Sequence, residues 1–193
     1  MAPDAQTLLP VVICPGFHNE SLTDGFVRSL PDFAKPYIIK HISPTDPFAI
    51  YQWLTQTFAA PHLSGSPLVG IGYSAGVVGL TGALLMWQQQ GHHVAKFIAV
   101  DGWGVPIIGL PMSRISHDRF THMTCLPLGA GEVNFYADPA VTHKQLWSAP
   151  EAARGWQMNG WSSDQGTQTT AANFLKSVLQ QTRREAFNWR ATV

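Results

Sequence analysis

The stretch PLVGIGYSAGVVGLTGALLMW, residues 67–87, decides the fold of this chain. Its first part, Pro67–Tyr73, is a continuous apolar run, which is typical of a strand buried on both faces of a parallel sheet. Its second part predicts a helix over Ala75–Gln90, ended by Gly91. A buried strand that leads through a single residue, Ser74, into a helix is characteristic of α/β proteins.

Strands and helices alternate in the same way along most of the chain. Strands are predicted at Leu8–Cys14, Pro36–Ile42, Pro67–Tyr73, Val94–Val100, Phe120–Leu126 and Val133–Tyr136. Helices are predicted at Ser21–Phe33, from Asp46 and Pro47 to Phe58, at Ala75–Gln90 and at about Thr169–Glu185. Right-handed crossovers between parallel strands then predict a three-layer α/β/α domain over residues 1–193, with a mostly parallel six-stranded sheet.

Composition excludes several classes of protein. Hydrophobic residues make up 45% of the 193 residues and charged residues only 12%, which argues against a disordered chain. The formal net charge is zero and basic residues form no stripe, so a nucleic-acid partner is not expected. No apolar run approaches the roughly 20 residues of a membrane span. Met1–Pro10 lacks the pattern of a secretory signal, and Cys14 and Cys125 are expected to be free thiols, which predicts a cytoplasmic location.

The strongest chemical signal is Gly72-Tyr73-Ser74-Ala75-Gly76, a GxSxG motif between the predicted strand and helix. Glycines two residues before and after the serine allow the close backbone approach that such a turn needs. The serine side chain then projects above the sheet, next to a helix N-terminus that favours developing negative charge. This context predicts Ser74 to be a nucleophile, whereas a structural serine in a glycine-rich turn is the alternative.

A second signal, Cys14-Pro15-Gly16-Phe17-His18, ends the first strand. Acyl transfer needs two preorganised N–H donors for the oxyanion. The backbone N–H groups of Phe17 and Ala75 are the predicted donors. An ordinary Pro-Gly turn is the alternative.

The general base is expected to be a histidine that follows the serine in the chain. His143 is the preferred residue, because its loop follows the last predicted strand and precedes the last helix. His117 and His122 remain alternatives. His92 and His93 follow the helix that begins after Ser74, on the far side of the sheet, and are expected to cap that helix.

The acid that orients the imidazole is predicted to be Asp101. It comes directly after the strand Val94–Val100, at the carboxyl end of a neighbour of the nucleophile strand. Asp118, Glu132 and Asp138 remain alternatives at this point.

Two further sets of residues could take part in binding. His117, Asp118, His122 and Asp101 match no strong ligand spacing, so neither a metal nor a cofactor is predicted. His18, Tyr73, Trp103 and Trp147 are candidates for an apolar substrate pocket, with a role in the core as the equal alternative.

The chain resembles the α/β-hydrolase family over nearly its full length. The resemblance rests on VVICPGFH (residues 11–18), GIGYSAGVVG (70–79) and VTHKQLWSAPEAARGW (141–156). It implies a minimal α/β-hydrolase fold without a large lid, and a triad of Ser74, Asp101 and His143. The family's acid more often follows the penultimate strand, where Glu132 stands, but some members carry it one strand earlier, at the position of Asp101.

These inferences predict a serine hydrolase that cleaves a small carboxylic ester or thioester through an acyl-enzyme on Ser74. An acyltransferase, in which an alcohol replaces water, is the alternative within enzymes. A catalytically silent member of the fold that acts as a binding protein is the alternative from another class. The acyl chain, the leaving group and the oligomeric state do not follow from the sequence.

Overall fold

The computed structural model describes residues 8–60, 63, 65–161 and 166–190. Its strands are β1 Leu9–Cys14, β2 Ala34–Ile38, β3 Leu68–Tyr73, β4 Val94–Val100, β5 Met112–Ser116, β6 Val133–Ala137, β7 Arg154–Asn159 and β8 Thr167–Thr170. Its helices are α1 Glu20–Arg28, α2 Pro47–Phe58, α3 Ala75–Gln89, α4 Arg119–Cys125, α5 His143–Ser148 and α6 Ala171–Arg190. None of the described helices has the length and apolar content to cross a bilayer. Residues 1–7, which hold most of the segment used to predict no secretory signal, lie outside the described part.

The strands form one sheet in the order β2-β1-β3-β4-β5-β6-β7-β8. Neighbouring strands from β2 to β6 are parallel, and β7 and β8 are antiparallel at one edge. The prediction of an α/β chain with a mostly parallel sheet is therefore confirmed. The prediction of six strands is wrong, because the described residues form an eight-stranded sheet.

One predicted strand, Phe120–Leu126, is instead helix α4 and the start of a short 3₁₀ turn at Leu126–Leu128. Asp118 caps this helix, since its Oδ1 accepts a hydrogen bond from the Thr121 amide at 2.6 Å. An aspartate in this position satisfies one of the free amides of a helix start. The capping signal therefore outweighs the strand-like composition of the segment.

Three strands escaped prediction because their sequences are polar, and β5 is the most informative of them. All five of its residues, MSRIS, are buried inside the sheet. The Arg114 guanidinium donates hydrogen bonds to the backbone oxygens of Val105, Leu128 and Gly129 at 2.7–3.1 Å. A buried cation is tolerated when its donors find such acceptors. These carbonyls come from loops, so the sequence of β5 does not reveal them.

Helices cover both faces of the sheet. Helices α1, α5 and α6 bury apolar side chains on one face, among them Phe26 and Trp147. Helices α2 and α3 bury residues such as Leu54 and Leu80 on the other face. The buried residues of β3 divide between the two cores, which explains its continuous apolar sequence. The carboxyl ends of β1, β3, β4, β5 and β6 share one edge, where α/β sheets bind their ligands.

Candidate active site

Ser74 occupies the single position between β3 and α3, in a sharp turn. Its φ of 53° and ψ of −122° are rare for a residue with a side chain and cost about 1–3 kcal/mol. The flanking glycines permit the turn, because a Cβ on Gly76 would overlap the Cys14 carbonyl oxygen and one on Gly72 would lie 2.9 Å from the Val77 Cα. Ser74 is half-buried, and its Oγ forms no hydrogen bond with any described residue.

Asp101 follows β4 directly, and its carboxylate is almost completely buried. Oδ2 lies 2.8 Å from Nδ1 of His143. Oδ1 accepts a hydrogen bond from the backbone N–H of His117 at 2.8 Å. The backbone of Asp101 has a positive φ of 50°. One carboxylate oxygen is thus anchored by the main chain, and the other faces the imidazole.

His143 is the first residue of α5, and a capping box at Thr142 and Gln145 fixes the start of this helix. Its ring stacks on the Tyr73 ring, with centroids 4.6 Å apart and an interplanar angle of 22°. The Tyr73 hydroxyl also donates a hydrogen bond to the His143 carbonyl oxygen at 3.0 Å. Tyr73, the residue before Ser74, therefore holds the His143 imidazole where it faces Asp101.

The aromatic stack continues beneath this pair. Tyr73 stacks on Trp147 with centroids 4.6 Å apart, and Trp147 stacks on Phe26 at 3.7 Å. Tyr73 and Trp147 are 1% and 0% exposed. Of the four candidate pocket residues, these two therefore support His143 from the core instead of lining an open pocket. Trp103 is 63% exposed, and its Nε1 donates to Thr124.

An open cavity of about 480 Å³ lies beside the loop that follows β1. His18, the fourth candidate pocket residue, lines it together with Phe17, and residues 40–44 form part of its wall. Glu20 and Lys40, which also line it, form an ion pair at 3.3 Å. This cavity adjoins the loop where an oxyanion is expected, but Ser74, Asp101 and His143 do not line it.

The two predicted oxyanion donors lie on segments that meet at Ser74. A Cβ on Gly16 would lie 2.9 Å from the Ser74 Cβ and 3.4 Å from the Ala75 nitrogen, so the loop after β1 packs against the serine. Ala75 begins α3, where backbone amides have no acceptor within the helix. Neither the Phe17 nor the Ala75 amide donates to an acceptor in the described ranges.

His117 is a second imidazole beside the same carboxylate. Its Nδ1 lies 3.0 Å from Oδ2 of Asp101, and its Nε2 lies 3.3 Å from Oδ2 of Asp118. The Asp101 carboxylate raises the pKa of His117 above its ordinary value, although burial acts in the opposite direction. Sequence reasoning did not foresee this contact. His117 follows β5 as Asp101 follows β4, and that signal was hidden because β5 was not recognised.

The alternative acids and bases have other contacts. Asp118 caps α4, and Asp138 accepts a hydrogen bond from the Trp156 Nε1 at 3.0 Å. Glu132 is exposed. His122 is buried against the Tyr136 ring. In the described part of the chain, none of these side chains forms a hydrogen bond, an ion pair or a ring contact with His143.

The two other histidines that follow Ser74 in the chain lie at the opposite edge of the sheet. His92 and His93 follow α3 and precede β4, and the His92 ring stacks on Trp87 with centroids 3.9 Å apart. Neither residue is near the carboxyl ends of the strands. This placement matches the expectation that they lie on the far side from Ser74.

No protein-family model matches the chain. No curated protein matches it either. The function must therefore be argued from the geometry of Ser74, Asp101 and His143.

The neutral state of His122 predicts a stability that depends on pH. Burial lowers the pKa of His122 to about 4, whereas the unfolded chain takes up this proton near the ordinary pKa of about 6.5. The contribution of neutral His122 to the free energy of unfolding is therefore fully present above the unfolded pKa of about 6.5. It is lost as the pH falls toward the native pKa. Between about pH 7 and about pH 4.5 we expect a loss of about 2 kcal/mol from this residue.

Urea unfolding of the wild type and of His122→Leu across this pH range measures the effect. The leucine variant keeps an apolar side chain but cannot take up the proton, so its stability should fall less steeply by that amount. Parallel pH profiles of the two proteins would contradict the prediction.

Proposed function

We propose that this chain is a serine hydrolase of the α/β-hydrolase type that cleaves a carboxylic ester or thioester through an acyl-enzyme on Ser74. The observation that carries the proposal is the 2.8 Å contact between Asp101 Oδ2 and His143 Nδ1, formed beside the strained turn that presents Ser74. An acid, an imidazole and a serine are the parts that acyl transfer requires, and here they come from the end of β4, the start of α5 and the end of β3. The resemblance of residues 11–18, 70–79 and 141–156 to that family adds support.

In the proposed reaction, Ser74 Oγ attacks the acyl carbon while His143 Nε2 accepts the hydroxyl proton. Asp101 holds the Nδ1–H tautomer and stabilises the imidazolium. The amides of Phe17 and Ala75 donate to the oxyanion. The imidazolium then protonates the leaving alcohol or thiol, and water attacks the acyl-enzyme with His143 as base again. The products are the carboxylic acid and the free alcohol or thiol.

The free Ser74 Oγ is compatible with this reaction. Hydrogen bonds between a nucleophile and its base are often long or poorly aligned without substrate and shorten in the Michaelis complex. Ser74 is half-buried at the carboxyl edge of the sheet, and the cavity lies beside the neighbouring loop that follows β1. We therefore propose a small acyl substrate that enters from this edge, without a large lid and without a cofactor.

A cytoplasmic location remains part of the proposal. Cys14 and Cys125 are free and buried. Burial raises the pKa of the Cys14 thiol to about 12, so this thiol is protonated and unreactive at neutral pH. Neither cysteine forms a disulfide bond that would require an oxidising compartment.

Labelling with a fluorophosphonate tests the proposal, because the probe phosphonylates a serine only where the serine is activated. We expect one adduct per wild-type chain, located by mass spectrometry of the peptide that contains Ser74. Ser74→Ala should give none, whereas Ser21→Ala, at an exposed serine, should be labelled as the wild type is. A folded wild type that takes no label would overturn the proposal and favour a binding protein.

If Ser74 takes the label, unlabelled wild-type enzyme acting on a thioester in the presence of a competing alcohol then separates hydrolysis from acyl transfer. Free acid as the main product supports the hydrolase. An ester of the added alcohol as the main product would instead identify an acyltransferase.

A further inference from the structure

The strongest unexplained feature is the pair of imidazoles on one buried carboxylate oxygen. Oδ2 of Asp101 lies 2.8 Å from His143 Nδ1 and 3.0 Å from His117 Nδ1. One donor atom from each of these three residues lies within 4.8 Å of the others. The proposed reaction uses only the first contact and leaves His117 without a role.

The nitrogen of His117 that faces Asp101 is buried and has no hydrogen-bond partner. At 3.0 Å it is close to Oδ2, but the in-plane direction of the ring nitrogen does not point at that oxygen well enough for a hydrogen bond. On the other side of the ring, the Asp118 carboxylate lies 3.3 Å from Nε2 and favours a proton there. If the ring is neutral, the Nδ1 lone pair faces the carboxylate across a short contact, and a positive charge between the two groups, a proton or a metal ion, would stabilise it.

A cation bound to both groups would remove this conflict. A metal ion does not have to lie on the line between its ligands, so the misaligned Nδ1 lone pair suits a metal better than a shared proton. Two imidazole nitrogens and one carboxylate oxygen are a donor set that Zn²⁺ accepts. Tetrahedral Zn²⁺ places its ligand atoms roughly 3.3–3.6 Å apart, so the two imidazole nitrogens, now 2.8 and 3.0 Å from Oδ2, would move slightly away from it on binding.

The surroundings of His117 also fit a ligand. Histidines that bind metal commonly donate their other ring N–H to a carboxylate, which fixes the tautomer. Asp118 is placed to accept that proton, and its other oxygen is held by the Thr121 amide at 2.6 Å.

We propose that Asp101, His117 and His143 form an inhibitory Zn²⁺ site, occupied only when the serine is not reacting. Zn²⁺ on Nδ1 of His143 moves the ring proton to Nε2, so no lone pair is left to accept the proton of Ser74. Zinc can bind whether or not the chain is a hydrolase, whereas the inhibition depends on the proposed function.

Calorimetric titration with ZnCl₂ tests the binding, with chain free of any histidine tag. We expect one Zn²⁺ per chain for the wild type and for Ser74→Ala. His117→Gln should weaken binding at least about tenfold, because even the loss of an outer-shell partner of a metal ligand commonly costs about 10–100-fold in affinity. His92→Gln, which alters an exposed histidine at the opposite edge, should bind as the wild type does.

Ester hydrolysis tests the inhibition. We expect Zn²⁺ to abolish wild-type turnover over the concentration range of the calorimetric isotherm, and EDTA to restore it. Each rate is compared with the metal-free rate of the same variant. Inhibition of His117→Gln should then need at least about tenfold more Zn²⁺ than inhibition of the wild type.

The outcomes separate the two proposals. Wild-type chain that is labelled at Ser74 but binds no Zn²⁺ would overturn the metal site alone and leave His117 as an imidazolium between two carboxylates. Equal binding by the wild type and His117→Gln would overturn it as well. Zinc binding by a chain that takes no fluorophosphonate label would support the metal site and overturn the hydrolase.

Discussion

Replacing Asp101 with asparagine is expected to lower kcat by about 10⁴-fold without unfolding the protein. The backbone N–H of His117 donates to Oδ1 at 2.8 Å, so the asparagine oxygen will occupy that position. The amide NH₂ must then face His143 Nδ1, where Oδ2 now lies at 2.8 Å. That contact favours the tautomer with a proton on Nε2, which cannot accept the proton of Ser74.

Asp138→Asn is the matched control. Asp138 stands at the end of β6 but accepts a hydrogen bond from Trp156 at 3.0 Å and does not reach His143. Its kcat should stay within about threefold of the wild type. Steady-state kinetics on one ester, with thermal unfolding of each variant, measure both effects. Equal losses in the two variants would show that Asp101 is not the acid.

Truncation of Trp147 to alanine is expected to lower the free energy of unfolding by about 3–5 kcal/mol. The indole is fully buried between the Phe26 and Tyr73 rings, and its Nε1 donates to Thr23 Oγ1 at 3.3 Å. The change leaves a large cavity and removes the partner of a buried hydroxyl. It also removes the main attachment of α5, the short helix that begins at His143, so activity should fall together with stability.

Two further variants make this prediction specific. Trp161→Ala removes an indole that is 64% exposed and should change stability by no more than about 0.5 kcal/mol. Trp147→Phe keeps an aromatic ring in the stack and should lose less than the alanine variant. Urea unfolding followed by circular dichroism compares all three. A loss below about 1 kcal/mol for Trp147→Ala would show that the stack does not hold α5.

Much of the fold followed from local chain chemistry. β1 and β3 are buried at every residue and β4 at most of its residues, and strands buried on both faces can be recognised because nearly all of their residues are apolar. Helix α2 begins at Pro47 as expected, since the Asp46 side chain accepts hydrogen bonds from the next free amides. The turn at Ser74 could also be predicted from the sequence, because only glycine fits beside the backbone at residues 72 and 76.

The polar strands required the folded structure. Arg114 can be buried in β5 only because carbonyl groups from two distant loops reach its guanidinium. Strands β7 and β8 lie at an antiparallel edge, where partial exposure removes the need for an apolar sequence. These polar strands are held by hydrogen-bond partners in other segments of the chain, so the periodicity of each strand alone does not predict them.

The candidate site divides in the same way. Residue type and position after a strand were enough to nominate Ser74 and Asp101, because chain direction places both at the carboxyl edge of a parallel sheet. The packing of α5 determines which histidine faces Asp101. The unrecognised β5 places a second histidine against the same carboxylate oxygen. Contacts between loops arise from tertiary packing across several strands, and only the assembled sheet determines them.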